Sequence, residues 1–225
     1  MAISTFAALF LAHVIADYLL QTGWMVANKR RALSIGLHIG AVFVMMPLAT
    51  LSFSPWFVAL AAMHLAIDLT KTHVLRGGLV AYVADQALHL ASILLVVWLA
   101  PGLWAVSSLA EVDWLPRFYL ILAVLLFSAR GGQYAVATLF CIDPEADSRG
   151  VRIGWVERSA LAALVAVGAP WPMLAVVAAK AGHVAFGLPR RDARGRSRLI
   201  RGSALSMAWG LACALALWAV LPSFG

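Results

Sequence analysis

The chain has 225 residues, of which 63% are hydrophobic and 12% charged, and its mean hydropathy is +0.90. A soluble domain of this size averages about 45–50% apolar and roughly 25% charged residues. A water-soluble core cannot hide so large an apolar fraction, so the composition excludes an ordinary soluble domain. It predicts a multi-pass protein of a bacterial inner (plasma) membrane.

Apolar segments follow one another along the chain, separated by charged residues or by proline and glycine. They cover residues 3–22, 33–53, 56–75, 79–100, 117–140, 154–169, 171–187 and 200–222. The sixth and seventh are short and are divided by Ala169-Pro170-Trp171-Pro172, so they form two crossings or one re-entrant pair. The predicted fold is an all-α transmembrane bundle of seven to eight membrane segments, with a four-helix core at 1–100 and a second helical half at 101–225.

Basic residues concentrate in alternate loops. Lys29, Arg30 and Arg31 follow the first segment, and an arginine-rich loop near 189–201 precedes the last one. Basic loops stay on the cytoplasmic side, so both termini are predicted to be periplasmic. The net charge of +7 then reflects orientation and contact with anionic lipid at the cytoplasmic face, and not nucleic-acid binding.

Histidines and aspartates interrupt the first four apolar segments. Side chains at i and i+4 share one helix face. Segments 1, 3 and 4 each carry one such pair and segment 2 a single histidine: His13–Asp17, His64–Asp68, Asp85–His89 and His38. Because consecutive helices run in opposite directions, the reversed order in segment 4 places three histidines about 15 Å from the cytoplasmic ends and three aspartates about 9 Å from them.

Three carboxylates at one depth in hydrocarbon require a compensating positive charge. A charged side chain at the membrane centre costs at least about 2.5–3.5 kcal/mol, and neighbouring anions repel one another. Imidazole and carboxylate are ligands suited to zinc, iron or manganese. We expect one or two divalent ions, most readily zinc, held by His13, Asp17, His64, Asp68, Asp85 and His89. A hydrogen-bonded polar seam or a proton or ion pathway are the alternatives.

Other polar residues border this cluster or lie in the second half. Lys29, Arg30 and Lys71 form a basic rim that suits the phosphate-bearing headgroup of a substrate, or else serve only as anchors that set topology. Glu157 is predicted to neutralise Lys180 or Arg130 across helices, since buried charges persist only in pairs.

Short motifs along the chain carry a family resemblance. Within about residues 8–90 they are Leu11-Ala12-His13 to Asp17, Leu20-Gln21-Thr22, Asn28-Lys29-Arg30, His38, His64 to Lys71 and Asp85-Gln86-Ala87-Leu88-His89. These motifs resemble the bacterial membrane-protein family catalogued as domain of unknown function 3307. Ile153 to Arg158, Ala178-Ala179-Lys180 and Gly202 to Ser206 resemble its second half, from which His183 and the arginine-rich loop depart. The resemblance implies no particular reaction.

A looser similarity links the ligand types to membrane-embedded metal-dependent hydrolases, including the ceramidase-like group, which hold zinc with histidines and aspartates from several helices. We therefore expect an intramembrane metal-dependent hydrolase whose lipid or lipid-linked substrate enters from the cytoplasmic leaflet. Asp17, Asp85 and His38 are the predicted catalytic residues, as ligands, orienting groups or general base. A di-iron oxygenase acting on lipid chains, a proton- or metal-coupled transporter and a non-catalytic scaffold are the alternatives.

The predicted orientation is testable with reporter fusions. A phosphatase reporter fused after Gly225 is expected to be active, because that enzyme folds only outside the cytoplasm, whereas the same reporter fused after Arg31 is expected to be inactive. An inactive fusion at both positions would contradict the orientation and would require an odd number of crossings.

Overall fold

The computed structural model describes residues 1–75, 77–144 and 149–224. Within these ranges the chain forms helices joined by turns and loops and contains no strand, which confirms the all-α prediction. The α-helices are α1 (Ala2–Ile15), α2 (Gly23–Ala27), α3 (Ala32–Thr50), α4 (Pro55–His73), α5 (Leu79–Leu99), α6 (Leu115–Leu126), α7 (Gly132–Phe140), α8 (Arg149–Ala166), α9 (Met173–Gly187) and α10 (Ala193–Val220). A π-helical turn at Ala16–Leu20 extends α1, and another at Phe127–Gly131 joins α6 to α7.

In the described part of the chain, five helical segments are long and apolar enough to cross a membrane. They are Ala2–Leu20, Ala32–Thr50, Leu79–Leu99, Leu115–Phe140 and Ala193–Phe224. The helix α4 has 19 residues, but the polar side chains of its second half lower its hydropathy. The helix α9 has 15 residues and therefore reaches about 22 Å, less than the roughly 30 Å hydrocarbon core of a bilayer.

The described residues divide into two compact units, Met1–Ala123 and Val124–Ser223. The boundary lies inside α6 and not at residue 100, where the sequence analysis placed it. The reason is that the segment after α5 folds back onto unit 1. Thr5 Oγ1 donates a hydrogen bond to the Pro101 carbonyl at 2.9 Å and accepts one from the Trp104 amide at 3.0 Å.

Small side chains let the helices of unit 1 approach closely. Ala8, Ala12 and Ala16 succeed one another at one-turn intervals and are fully buried. The helix α1 contacts α3 and α5, while α4 contacts the same two helices from its own side. Small residues at helix interfaces favour such packing in lipid, where no hydrophobic force drives helices together. The four helices therefore enclose a common interior.

Unit 2 is organised around α10, which contacts α7, α8 and α9. A buried arginine, Arg158, connects α8 to α10 and to the π-helical turn before α7. Its guanidinium donates to the carbonyls of Ser128 and Ala129 in the π-helical turn, at 2.8 and 2.7 Å, and to Ser206 Oγ at 2.6 Å. The predicted ion pair between Glu157 and Lys180 is confirmed, with 2.8 Å between Oε2 and Nζ.

Candidate metal centre

The structure brings the predicted histidines and aspartates of the first four segments together in the interior of unit 1. All but one are buried, and Asp17 exposes 11% of its side chain. Each comes from a different turn of α1, α3, α4 or α5: His13, Asp17, His38, His64, Asp68, Asp85 and His89.

A local irregularity of the first helix positions Asp17. The Gln21 amide donates to the Ala16 carbonyl at 3.0 Å, which is an i to i+5 bond. Such single π-helical turns widen the helix and occur frequently at functional sites. Asp17 is the second residue of this turn, and its carboxylate faces histidines of three helices.

Four ligand atoms from three helical segments form a tight group, which we call the ligand quartet: Asp17 Oδ1, His38 Nε2, His64 Nε2 and Asp68 Oδ2. The two nitrogens are 3.1 Å apart. His38 Nε2 lies 3.3 Å from the Asp68 oxygen and 3.6 Å from the Asp17 oxygen. His64 Nε2 lies 3.4 Å from the Asp17 oxygen and 3.8 Å from the Asp68 oxygen.

Both oxygens of the quartet are buried atoms for which the described residues provide no hydrogen-bond partner. A buried polar atom without a partner carries a free-energy cost of about 1–3 kcal/mol, and more when it is charged. The same holds in the described structure for both ring nitrogens of His89 and for Asp85 Oδ1. Several buried polar atoms without a hydrogen-bond partner among the described residues therefore lie close together.

The three histidines predicted to share one depth are neighbours. The ring centroid of His64 is 4.0 Å from that of His89, and the ring centroid of His13 is 5.1 Å from that of His89. His13 Nε2 lies 3.8 Å from Asp17 Oδ2. The Asp17 carboxylate thus has one oxygen in the quartet and the other toward His13.

Lysines reach the other two carboxylates. Lys71 Nζ lies 2.6 Å from Asp85 Oδ2, and Lys29 Nζ lies 3.7 Å from Asp68 Oδ1. Side chains therefore supply part of the positive charge that the sequence analysis assigned to metal ions alone. The close contact of Lys71 with Asp85 also makes it a partner of this carboxylate, in addition to its predicted place on the basic rim.

A hydrogen-bonded chain that sequence analysis missed leads to Asp85. The hydroxyls of Tyr18 and Tyr82 are 2.6 Å apart, and the Tyr18 hydroxyl donates to Gln86 Oε1 at 2.9 Å. Gln86 Nε2 in turn donates to Asp85 Oδ2 at 3.0 Å. The signal was present in α5, where Tyr82, Gln86 and His89 recur at intervals of four and three residues on one face.

The comparison with known families covers the part of the chain that contains this cluster. Residues 5–115 match the sequence profile of a family described as protein of unknown function, DUF3307. Residues 5–115 of the chain belong to this family. The DUF3307 match includes the whole ligand quartet and ends at residue 115, so the motifs at 153–158, 178–180 and 202–206 lie outside it. No curated protein and no solved structure matches the chain.

Beside the cluster, the DUF3307 region forms a basic groove of about 310 Å³, lined by Lys29, Arg30 and Arg31 together with Asn28 and Thr72. Short-range hydrogen bonds fix the position of α2, whose last residues lie beside the groove. Thr22 Oγ1 accepts from the Met25 amide at 3.3 Å, and Ser34 Oγ donates to the Met25 carbonyl at 2.8 Å, which ties α2 to the start of α3. Lys29 thus belongs both to the groove and to the surroundings of Asp68.

The Lys71–Asp85 contact predicts a measurable effect on the stability of the DUF3307 region. The Lys71→Met variant is expected to lose about 3 kcal/mol, because it leaves a buried carboxylate without its cation. Adding Asp85→Asn should recover most of that loss. Lys29→Met is the matched control and should cost less, since its ammonium lies farther from Asp68. Unfolding in mixed micelles measures all four proteins, and an unchanged stability of Lys71→Met would contradict the pairing.

Proposed function

We propose that the chain is an intramembrane metal-dependent hydrolase that acts on a lipid or lipid-linked substrate. It would lie in a bacterial inner membrane with both termini periplasmic, and its substrate would enter from the cytoplasmic leaflet. The geometry of the ligand quartet is the observation that carries the proposal.

Ligands of a tetrahedral zinc ion lie about 2.0–2.1 Å from the metal and therefore roughly 3.3–3.4 Å from one another. The nitrogen–nitrogen and nitrogen–oxygen separations among Asp17, His38, His64 and Asp68 run from 3.1 to 3.8 Å and so bracket this value. Two imidazoles and two carboxylates are a ligand set that zinc accepts. Neither quartet oxygen accepts a hydrogen bond of good geometry from the described residues, which supports the same interpretation.

The charges of the cluster also favour a divalent ion. Three carboxylates (Asp17, Asp68 and Asp85) face two lysines (Lys29 and Lys71), which leaves one net negative charge when the imidazoles are neutral. A divalent ion would reverse this to one net positive charge. Such a site would stabilise the oxyanion that develops when an ester or amide is attacked.

The geometry suggests a division of roles. We assign His38, His64 and Asp17 as ligands, so that His38 moves from the predicted catalytic group to the metal site. His13 lies near Asp17 Oδ2, the oxygen of Asp17 that is not part of the quartet. It would orient that ligand, as histidine–carboxylate pairs do around zinc. A zinc ion would lower the pKa of a coordinated water toward about 7 and polarise the scissile bond.

Asp68 is the strongest candidate for the general base. One of its oxygens belongs to the quartet and the other faces Lys29 at 3.7 Å. It could therefore yield the fourth position to water and accept the proton of that water. Asp85 and His89, held near Lys71, would then complete the outer part of the site. The hydrogen-bonded chain through Gln86 would keep Asp85 in place.

The basic groove favours an anionic headgroup. Arg30 and Arg31 line it with Lys29, whose ammonium also approaches Asp68. A headgroup held by these cations would present its ester or amide bond next to the quartet. The proposed orientation places this groove in the cytoplasmic leaflet.

Elemental analysis of the detergent-purified full chain tests the metal site. The wild type is expected to retain zinc in a one-to-one ratio. His64→Ala and His38→Ala should lose it, and His13→Ala should bind it about 10–100-fold more weakly, as expected for an orienting partner. His73→Ala, an exposed histidine of the same helix as His64, is the control and should retain the metal. A wild type that binds no divalent ion after dialysis against zinc would overturn the site.

Isotope labelling tests the reaction. The zinc-loaded protein is incubated with vesicles of a total bacterial lipid extract in water labelled with oxygen-18. The masses of the lipid products are then measured by mass spectrometry. A lipid product carrying oxygen from water is expected with the wild type and with His73→Ala, and it should be absent with Asp68→Asn, which removes the base. Oxygen from molecular oxygen in the product would instead identify an oxygenase, and no cleaved lipid at all would contradict a hydrolase.

A further inference from the structure

Unit 2 contains a site of its own, separate from the residues of the ligand quartet. A cavity of about 340 Å³ lies among α7, α8, α9 and α10. Its volume is comparable to that of ligand pockets in other proteins, which span about 300–1,000 Å³. The residues on its walls determine what chemistry it could bind.

The cavity walls are strongly basic. Among the described lining residues, four carry a positive charge and one, Asp143, a negative charge; the cations are Arg158, Lys180, Arg191 and Arg198. Glu157, whose carboxylate lies 2.8 Å from Lys180 Nζ, neutralises one of these cations. His183 also lines the cavity. An anion is therefore the ligand that the charge of these walls favours.

One of these cations is held rigidly. Arg158 is 2% exposed, and its three hydrogen bonds to α10 and the π-helical turn fix the guanidinium plane. Gly154 permits this placement, because a Cβ there would lie 2.7 Å from Arg158 Nη1. Because all three guanidinium nitrogens already donate hydrogen bonds, Arg158 contributes a fixed positive charge to the cavity wall.

Part of the cavity wall is apolar and lies against a second arginine. Val136, Phe140, Ile142 and Leu199 line it. The guanidinium carbon of Arg198 lies 5.5 Å from the Phe140 ring centroid, a cation–π distance that holds the arginine against this wall. Gly202, Ser203 and Ser206 also line the cavity. The cavity thus presents hydrogen-bond donors beside an apolar surface.

We infer that this cavity binds a ligand with a phosphate monoester, whose phosphate contacts Arg191 and Arg198 near the fixed charge of Arg158 and whose remaining part lies along Phe140. The serine hydroxyls supply further donors for the phosphate oxygens. An anionic lipid such as phosphatidic acid and a soluble phosphate ester share this chemistry. The inference does not depend on the proposed hydrolase or on its metal.

Calorimetric titration of the detergent-purified full chain tests the inference, with dihexanoyl phosphatidic acid, dihexanoyl phosphatidylcholine and glycerol 3-phosphate as probes. Phosphatidic acid is expected to bind at least tenfold more tightly than the zwitterionic phosphatidylcholine. Arg198→Gln should weaken that binding about tenfold or more. The control is Arg194→Gln, which removes one exposed arginine of the same segment that does not line the cavity, and it should bind as the wild type does.

The outcomes distinguish a lipid ligand from a soluble phosphate ester, and they distinguish specific binding from the nonspecific attraction of anions to a basic surface. Glycerol 3-phosphate binding as tightly as phosphatidic acid would assign a soluble phosphate ester, and weaker binding would assign a lipid. Equal loss in Arg198→Gln and Arg194→Gln, or equal binding of both lipids, would overturn the inference. If Arg198→Gln lowers the unfolding midpoint, Arg191→Gln is the second variant, since Arg191 lines the same cavity; unchanged binding in a folded Arg191→Gln and Arg198→Gln double variant would also overturn it.

Discussion

The structure of unit 1 depends on how buried carboxylates are stabilised within an apolar bundle. Asp68 and Asp85 are 4% and 2% exposed, in a chain whose helices are otherwise suited to lipid. An isolated carboxylate in such surroundings is costly, and groups of carboxylates add repulsion to the loss of hydration. In unit 1, one face of each of α1, α3, α4 and α5 faces the interior. The imidazoles and the ammonium groups of Lys29 and Lys71 therefore surround the carboxylates. That requirement fixes which helix faces meet, and the small alanines of α1 make the approach possible.

Irregular helical turns serve both polar clusters. In unit 1, the π-helical turn at Ala16–Leu20 carries Asp17, one of the four residues of the ligand quartet. In unit 2, the π-helical turn at Phe127–Gly131 presents the carbonyls of Ser128 and Ala129 to the buried guanidinium of Arg158. A π-helical turn interrupts the regular i to i+4 pairing and so changes which backbone groups and side chains face inward. In an apolar bundle, this is a means of placing polar groups without breaking the helix.

The two units differ in the chemistry that they collect. Unit 1 contains the carboxylates and imidazoles, and the family match at residues 5–115 lies within it. Unit 2 contains a cavity with four basic side chains on its walls, in a part of the chain that the family match does not cover. Membership of the family therefore bears on the histidine–aspartate cluster, whereas the basic cavity is a property of the remaining sequence. The proposed hydrolase and the proposed phosphate-binding site are independent for the same reason.

The sequence by itself determined the class of fold and most of the site, because both depend on local periodicity. A run of apolar residues in lipid must become a helix to satisfy its backbone, and a spacing of four residues places His13 with Asp17 or His64 with Asp68 on one face whatever the rest of the chain does. Tyr82 and Gln86 of α5 also lie at helical spacing, but they are uncharged, so the sequence analysis did not assign them to the cluster.

Only the tertiary structure decided which helices share an interior and how closely their side chains approach. The contact of His38 with His64 joins residues of different helices, as does that of Lys71 with Asp85, and the Tyr18–Tyr82 bond spans 64 positions in the chain. The same holds for the unit boundary inside α6, which depends on Thr5 bonding to the segment after α5. Such contacts depend on packing between distant parts of the chain. The residues adjacent in sequence do not determine this packing, so local sequence patterns cannot predict the contacts.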